Sequence, residues 1–494
     1  MNDSGGVEAR RRGGIWSGCV VACVLWVCFT VAQAAPTWDV FNTEVGVPPA
    51  PASLMLAGQP GRDCASQVLA DPLRLDQAVV LALCRNPATR KAWADVRARA
   101  AGAGVATAQY LPTVSINTQN IRQKSDTVVK DYPPLSSSRS GWTHNQSISL
   151  NWLLYDFGAR GAALENAEAL LGAALASQEV ALQATFATVA TDYYAAQAAK
   201  GKLAAAVEAE KIASDSFGAA VRRVEHGVAS VADQLQAETA KVQATLRRVR
   251  AEAELRAAQG VLLAGMTLSP SQQVVLPDIE EGAMAGPAFQ SSVDALMAEA
   301  TERHPSVVAA KAQWNAAKAK EAQVAAEGLP KLSLTSRYGR NNQPVSSGFG
   351  ANSFPAQGRE FYIGVQLQIP LFEGFSRNYQ IREAAAERQR QGEALAEVRQ
   401  GVGLAVWKSY QALQASTENV RHSAELRSIA EKSFEAAKRR YVMGVGSMLE
   451  LLSAQNALTD ANQLRIEAVA EWRSARLQLA EKLGQLGMWQ LDGG

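Results

Sequence analysis

The sequence predicts an internally duplicated α+β protein in which very long helices alternate with four strands. Three observations support this prediction. A set of short landmarks recurs at a nearly constant spacing along the 494 residues, two segments alternate between polar and apolar residues, and the ranges 135–269 and 371–494 contain no proline. Because proline interrupts helices and alternation is typical of strands, the chain divides into helical and strand segments that occur twice.

The composition excludes one class of partner. Hydrophobic residues make up 47% of the chain and aromatic residues only 6%. The excess is alanine, which favours helices over a bulky core. The 49 basic and 47 acidic residues give a net charge of +2 and are interspersed along the chain. We therefore expect no nucleic-acid partner.

The N-terminal range 1–34 has the three regions of a secretory signal peptide. Arg10, Arg11 and Arg12 precede an apolar run over 15–31, and a small-residue cleavage site follows at 32–34. An uncleaved anchor is the alternative, but a run of about 17 residues is short for a bilayer span. No later stretch is apolar over the length of a membrane-spanning helix. A membrane role of the mature chain must therefore come from strands.

Removal of the signal peptide leaves two cysteines, Cys64 and Cys84, in an exported chain. An oxidising compartment would allow a disulfide between them, and the sequence leaves open whether it forms. The four histidines are far apart, and two cysteines without clustered histidines do not make a zinc site. We expect neither a metal site nor a cofactor.

An internal duplication organises the rest of the chain. Asn86-Pro87 and Leu111-Pro112 recur as His304-Pro305 and Leu329-Pro330, both at a sequence offset of 218. Later landmarks recur at an offset of 217: Tyr155 to Arg160 as Phe372 to Arg377, Ala219 to Arg223 as Ala436 to Arg440, and Gly227-Val228 as Gly444-Val445. The predicted organisation is a signal peptide (1–34), a proline-rich segment (35–72), a first repeat (73–276), a linker (277–290), a second repeat (291–485) and a tail (486–494).

Each repeat is predicted to run helix, strand, long loop, strand, helix. The helices before the strands end at Leu-Pro in both copies. Apolar and polar residues then alternate, most clearly from Trp142 to Leu154 and from Phe361 to Ile369. The predicted helices are 76–84, 87–110, 292–303 and 306–328, the strands 114–119, 142–154, 332–338 and 361–369, and the loops 124–141 and 340–358.

The helices after the strands are predicted to be unusually long. The range 159–226 alone would form a rod of roughly 100 Å. Their alanine-rich composition suits close packing in a coiled-coil wall. Return helices over 231–264 and 448–485 are expected to pair back antiparallel.

The strands indicate a membrane protein. Aromatic residues gather at their ends, as in the girdles of outer-membrane barrels, and the polar face is small and uncharged. Four strands cannot close a barrel, so subunits must combine, two giving eight strands and three giving twelve. The alternative is a periplasmic coiled-coil scaffold that never enters the membrane.

The duplicated units, the Tyr-Asp-Phe-Gly run at 155–158 and the Gly-Val turns together resemble the TolC family of outer-membrane efflux and secretion channels over about 73–485. The resemblance implies a homotrimer, with a twelve-stranded β-barrel in the outer-membrane lipid and a helical tunnel across the periplasm. It also implies a periplasmic adaptor (membrane fusion protein) and an inner-membrane ABC transporter or other pump. The chain is most similar to members that serve type I secretion of large toxins such as adenylate cyclase toxin, with multidrug efflux as the alternative.

The two helix-to-helix turns carry the candidate functional residues. Asp233 and Glu450 each lie three positions after a serine, which predicts a capping box. The family resemblance adds a role in the periplasmic entrance for both acids and for Tyr441, although Tyr441 is equally consistent with packing between helices. Ser453 and Gly446 depart from the family pattern of a gate acid and a gate arginine. The adaptor is expected to contact Gly227, Val228, Gly444 and Val445. The arginines before the turns are expected to complement the helix dipole, with pairing to the adaptor or across helices as the alternative: Arg222, Arg223, Arg439 and Arg440.

Nothing in the sequence indicates an enzyme. It contains no glycine-rich phosphate loop, no His-Glu zinc motif and no Gly-x-Ser-x-Gly elbow. Asp156 and Glu373 occupy matching positions in the repeats, and a strand-to-helix cap explains them more simply than an acid and base pair.

Overall fold

The computed structural model describes residues 39–56, 64, 71–278, 292–343, 345–346, 353–354 and 356–487. The predicted signal peptide, and most of the predicted linker and tail, lie outside the described residues. The chain divides into two units, Met1–Gly46 and Val47–Gly494. In the first, the Asp39 carboxylate accepts hydrogen bonds from the Thr43 hydroxyl and the Glu44 amide (3.1 and 2.8 Å), just before a 3-10 turn, Thr43–Gly46.

In the second unit the helices of the two repeats match one another in length. The first repeat contains α1 (Leu75–Arg85), α2 (Pro87–Ala108), α3 (Ala159–Glu225) and α4 (Val231–Gly265). The second contains α5 (Val293–Arg303), α6 (Pro305–Ala326), α7 (Ser376–Val442) and α8 (Met448–Lys482). The lengths are 11, 22, 67 and 35 residues in both repeats, which confirms the duplication. Within the described ranges, no helix combines the length and apolar character needed to cross a membrane.

The Asn-Pro and His-Pro landmarks begin α2 and α6. Asn86 Oδ1 accepts a hydrogen bond from the Ala88 amide (2.8 Å), and His304 Nδ1 accepts one from the Ser306 amide (3.1 Å). Burial lowers the pKa of His304, which favours the neutral ring and so keeps Nδ1 available as an acceptor. In both cases proline occupies the first helical position, where its missing N–H costs nothing.

The four long strands form one antiparallel sheet that unites the two repeats. They are β1 (Thr113–Thr127), β2 (Ser137–Tyr155), β3 (Lys331–Asn341) and β4 (Gly358–Gln368), and they lie side by side in that order. Strands β1 and β4 are therefore the edges. A separate pair of two-residue strands, Val345–Ser346 and Ser353–Phe354, lies between β3 and β4 in the chain.

The predicted loop over 124–141 is wrong at both ends. Strands β1 and β2 remain paired as far as Thr127 and Ser137, as a two-stranded ribbon. Beyond Ile116 and Ile148 the ribbon is largely polar on both faces, so the alternation that predicted the strands ends before the pairing does. The predicted loop over 340–358 likewise overlaps β3, which continues to Asn341, and the first residue of β4.

The register places the apolar residues of all four strands on one face of the sheet. Ile116 pairs with Ile148, Ile148 with Tyr338, and Tyr338 with Phe361. No described residue covers this face, and Ile116 and Phe361 are 72% and 68% exposed. The opposite face is mostly polar and includes Ser115, Asn117, Ser149, Asn151, Ser333, Thr335, Gln366 and Gln368.

The main hydrophobic core lies among the helices. Phe186 on α3, Leu262 on α4 and Leu477 on α8 are buried there together with α1. Within the second unit, Ala52 and Leu56 of the proline-rich segment are buried in this core, and the Trp93 indole of α2 donates to the Pro48 carbonyl (2.8 Å). Cys64 and Cys84 are joined by a disulfide, which ties this segment to α1.

A buried arginine joins β2 to α3. Arg160 Nε lies 3.1 Å from Asp156 Oδ2, which also accepts the Arg160 amide (2.9 Å). Its Nη1 and Nη2 donate to the carbonyls of Leu153 and Leu154 (2.7 and 3.2 Å), at a bulge in β2. The guanidinium also stacks over the Tyr110 ring at 4.7 Å. Asp156 therefore has the capping role expected from the sequence, and Arg160 satisfies carbonyls that the sheet leaves unpaired.

The second repeat contains a more exposed version of this junction. Arg377 binds both carboxylate oxygens of Glu373 (3.0 and 3.3 Å) and donates to the Val324 carbonyl at the end of α6 (3.1 Å). Glu327 is a further acidic partner at 3.4 Å. The Glu373 and Arg377 side chains are 35% and 22% exposed, against 7% and 9% for Asp156 and Arg160.

We predict that the two junctions contribute unequally to stability. Arg160→Met should lower the free energy of unfolding by about 3 kcal/mol, because Asp156 is left as an unpaired buried charge. Arg377→Met should lower the free energy of unfolding by clearly less, since water solvates the Glu373 carboxylate that is left unpaired. Urea unfolding followed by tryptophan fluorescence measures both. Adding Asp156→Asn to Arg160→Met should recover part of the loss, and equal costs at the two junctions would contradict the assignment.

Candidate functional site at the helical turns

The turn between α3 and α4 is closed by backbone bonds and a capping box. Gly227 has φ +71°, and the Val228 amide donates to the Arg223 carbonyl (2.9 Å). Ser230 Oγ accepts from the Asp233 amide, and Asp233 Oδ2 accepts from the Ser230 amide, both at 3.2 Å. Glycine fits this left-handed position because it has no Cβ. The capping box predicted at Asp233 is present.

The turn between α7 and α8 is tighter. Gly444 has φ +82°, and the amides of Val445 and Gly446 both donate to the Arg440 carbonyl (3.0 Å). A Cβ atom on Gly446 would lie 2.9 Å from the Tyr441 amide nitrogen. The backbone therefore excludes any side chain at Gly446, which accounts for the absence of an arginine there.

Glu450 departs from the predicted capping box. Ser447 Oγ accepts from the Glu450 amide (3.1 Å), as a cap should. The Glu450 carboxylate does not return to the Ser447 amide and instead forms an ion pair with Arg440 Nε at 3.1 Å. Both side chains are about half exposed, so water screens the pair. Asp233 and Glu450 thus occupy equivalent positions but have different partners.

Tyr441 is a packing residue. It is 5% exposed and lies in a small core with Phe434, Met448 and Leu451 from its own hairpin and Ala220 from the other. Its hydroxyl is buried without a hydrogen-bond partner among the described residues. Burial raises the pKa of Tyr441, Arg223 opposes that shift and Asp233 adds to it. The tyrosine therefore stays protonated at neutral pH and joins the two hairpins by contact.

Arg223 adds the polar connection between the hairpins. Its Nη1 donates to the Tyr441 carbonyl (2.7 Å), and its guanidinium stacks over the Tyr441 ring at 4.6 Å. The equivalent residue of the second repeat, Arg440, stays within its own hairpin. From the sequence we expect Arg223 to complement the helix dipole, with pairing to the adaptor or across helices as the alternative. The contact with Tyr441 is a pairing across helices, but no local pattern identifies a partner 218 positions away.

The turns also expose apolar side chains. Val228 is 64% exposed and Val445 68%. An open groove runs alongside, between the return helices, and contains Ser453. The groove is lined by Leu235, Gln236, Thr239, Ala240 and Gln243 from α4 and by Leu449, Leu452, Ser453 and Asn456 from α8. In the described part of the chain, no group of three or more His, Cys, Asp or Glu side chains could hold a metal ion.

Comparison with known proteins identifies the same architecture elsewhere. The profile of the outer membrane efflux protein family matches residues 78–264 and 296–485. The chain is 35% identical to Protein CyaE of Bordetella pertussis over 432 residues, covering 86% of both chains. It is 26% identical to outer membrane protein OprJ of Pseudomonas aeruginosa, covering 78% of both. The solved structure of the outer-membrane channel OprN superposes with a TM-score of 0.72 at 19% identity, covering 86% of this chain and 96% of that one.

Proposed function

Since this chain belongs to the outer membrane efflux protein family, and is thus an outer-membrane channel protein that extends into the periplasm, we propose that it serves a type I secretion system. In this role it conducts a protein toxin from an inner-membrane ABC transporter and a periplasmic adaptor to the exterior. The observation that carries the proposal is that the open-edged sheet continues into α3 and α7, two helices of 67 residues each that are long enough to form a tunnel wall. The choice of a protein cargo rests on the resemblance to toxin-exporting members.

The open edges of the sheet support a homotrimer. Among the described residues, β1 and β4 each have one side without a neighbouring strand, and the apolar face is uncovered. Backbone groups left unpaired in lipid cost several kcal/mol each, so the sheet needs other copies to close it. Three copies supply twelve strands, and the mostly polar face then lines the channel.

The internal duplication indicates which helices meet between copies. Within one chain α8 packs on α3, where Lys202 Nζ lies 2.5 Å from Glu467 and Ile466 approaches Gly201. Subtracting the repeat offset of 217 from Ile466 and Glu467 gives Val249 and Arg250 on α4. Adding it to Gly201 and Lys202 gives Glu418 and Asn419 on α7. Val249 is 50% exposed and the Glu418 side chain 61%. We infer that α4 of one copy packs on α7 of the next, repeating the internal contact with Arg250 near Glu418.

This interface makes a crosslinking prediction. Mild oxidation of Val249→Cys with Glu418→Cys should give covalent trimers on denaturing gels, because the two positions repeat the Ile466 and Gly201 contact across subunits. The matched control is Ile466→Cys with Gly201→Cys, which should crosslink within one chain and leave its oligomeric mass unchanged. If the Val249→Cys and Glu418→Cys pair gives only monomers, while the control pair loses all of its free thiols, the proposed interface is wrong.

The entrance of the proposed trimer would collect three copies of Asp233 and of Glu450. Such a ring attracts cations. Because Arg440 forms an ion pair with Glu450, we expect it to offset part of this field. The exposed turns Gly227-Val228 and Gly444-Val445 are the proposed contact for the adaptor, since a tip of small residues lets another helical hairpin approach closely.

Ion selectivity in planar bilayers tests the ring. Asp233→Asn and Glu450→Gln should each lower the preference for cations, and Arg440→Gln should raise it, because it leaves Glu450 uncompensated. Glu254→Gln, on α4 about 35 Å from the turn, is the matched control for loss of one acid. Unchanged selectivity in all three tip variants would leave Asp233 with only its capping role.

Deleting the gene tests the cargo. Secretion of the toxin into the culture medium should be lost while sensitivity to drugs stays unchanged, and the wild-type gene should restore secretion. The identity to OprJ keeps multidrug efflux as the second candidate. Continued toxin secretion together with increased drug sensitivity would favour efflux and overturn the secretion proposal.

A further inference from the structure

Two arginines lie directly opposite each other in the sheet, and the structure gives neither a counter-ion among the described residues. Arg340 on β3 pairs directly with Arg359 on β4, and both side chains are exposed. Arg340 Nη2 donates to Gln357 Oε1 (3.0 Å), a neutral acceptor. The connecting range 342–357 contains no acid, and the described residues form no ion pair with either arginine. Like charges directly opposite one another destabilise a sheet, so this pair costs stability unless an anion binds it.

The pair lies at the rim of the apolar face. One row away on that face are Tyr338 and Phe361, opposite each other, and further rows continue to Leu332 and Leu367. Glu360, the acid next to Arg359 in the chain, points to the opposite face because neighbouring strand residues alternate. The arginines are therefore the first charged side chains beyond the apolar band on these two strands.

The β1 and β2 ribbon continues the same rim. His144 follows Ile148 on the apolar face of β2 at a spacing of four, and Arg122 pairs with Trp142 beyond it. Trp142 is 58% exposed and Arg122 is exposed. The acid of this ribbon on the same face, Asp126, already pairs with Lys124 (3.3 Å) and accepts a hydrogen bond from Ser138. We call Arg122, His144, Arg340 and Arg359 the basic rim.

The chain direction assigns the basic rim to one side of the membrane. The helices leave the sheet at Tyr155 and Gln368, and they begin α3 and α7 on the periplasmic side. The basic rim lies at the other end of the strands. It therefore lies at the outer leaflet, with its side chains directed away from the polar face that lines the channel.

We propose that the basic rim binds the phosphate groups of an anionic lipid of the outer leaflet, while the acyl chains of that lipid contact the apolar band. This inference rests on the proposed channel placement. Arginine suits the role because its planar guanidinium binds phosphate through paired hydrogen bonds. An exposed tryptophan beside it is typical of the interface between lipid chains and headgroups. The lipid would supply the counter-ion that Arg340 and Arg359 lack.

Binding of lipid A to the purified full-length trimer tests the proposal. The probes are phosphatidylcholine nanodiscs that contain bisphosphorylated lipid A, monophosphorylated lipid A or neither, with bound lipid counted by native mass spectrometry. Arg340→Gln and Arg359→Gln should each weaken binding of the bisphosphorylated form by roughly fivefold. The matched control is Lys130→Gln, which removes an exposed charge from the connecting turn outside the rim and should leave binding unchanged.

Arg359→Glu separates this role from a merely structural one. In lipid-free detergent it should raise the melting temperature, because a like-charge pair becomes an opposite-charge pair. Lipid A should then give this variant a smaller stabilising shift than it gives the wild type. Equal lipid A affinity in wild type and variants, or equal response to the mono- and bisphosphorylated forms, would overturn the proposal. If the trimer conducts ions in phosphatidylcholine alone but does not bind lipid A, only the lipid proposal is wrong. If the protein forms no trimer or conducts no ions, the channel proposal itself is wrong.

Discussion

The structure depends on how the chain passes from a strand into a helix of 67 residues. At that point the pairing of the sheet ends before the hydrogen bonds of the helix begin, so backbone carbonyls lose their partners. Phe157 and Gly158 both have positive φ, which turns the chain. The Arg160 side chain then donates hydrogen bonds to the carbonyls of Leu153 and Leu154. Because a helix of about 100 Å amplifies any change in its starting direction, the position of the distant turns depends on this buried guanidinium.

The two repeats use the same elements for different purposes at the turns. Arg223 and Arg440 are equivalent in sequence, yet Arg223 bonds to the Tyr441 carbonyl of the other hairpin and Arg440 pairs with Glu450 in its own. Asp233 closes a capping box, whereas Glu450 does not. The two repeats therefore share their helix lengths, whereas their turns differ in the contacts that equivalent residues make. In a closed ring the two kinds of turn would alternate around the entrance.

Periodic features of the fold could be predicted from the sequence, and contacts between distant residues could not. Helix lengths followed from proline positions and from the repeat, because both act locally. The far ends of β1 and β2, residues 120–127 and 137–141, were missed because nearly every position there is polar, so no alternation of apolar and polar residues marks them as strand. The contact between Arg223 and Tyr441 joins residues 218 positions apart. At Gly446, a Cβ atom would collide with the backbone of the same turn. Such constraints exist only once the helices are packed.

The helices bury a hydrophobic core within one chain, whereas the sheet leaves its apolar face exposed. The helices enclose a core around Phe186 and Leu262 within a single copy. The sheet has no such support, since its apolar face is exposed and its two edge strands each lack one neighbour. An isolated sheet of this kind is unstable in water and invites pairing with other chains. The helical core is thus complete within one chain, whereas in the proposed trimer lipid would cover the apolar face of the sheet and neighbouring copies its edges.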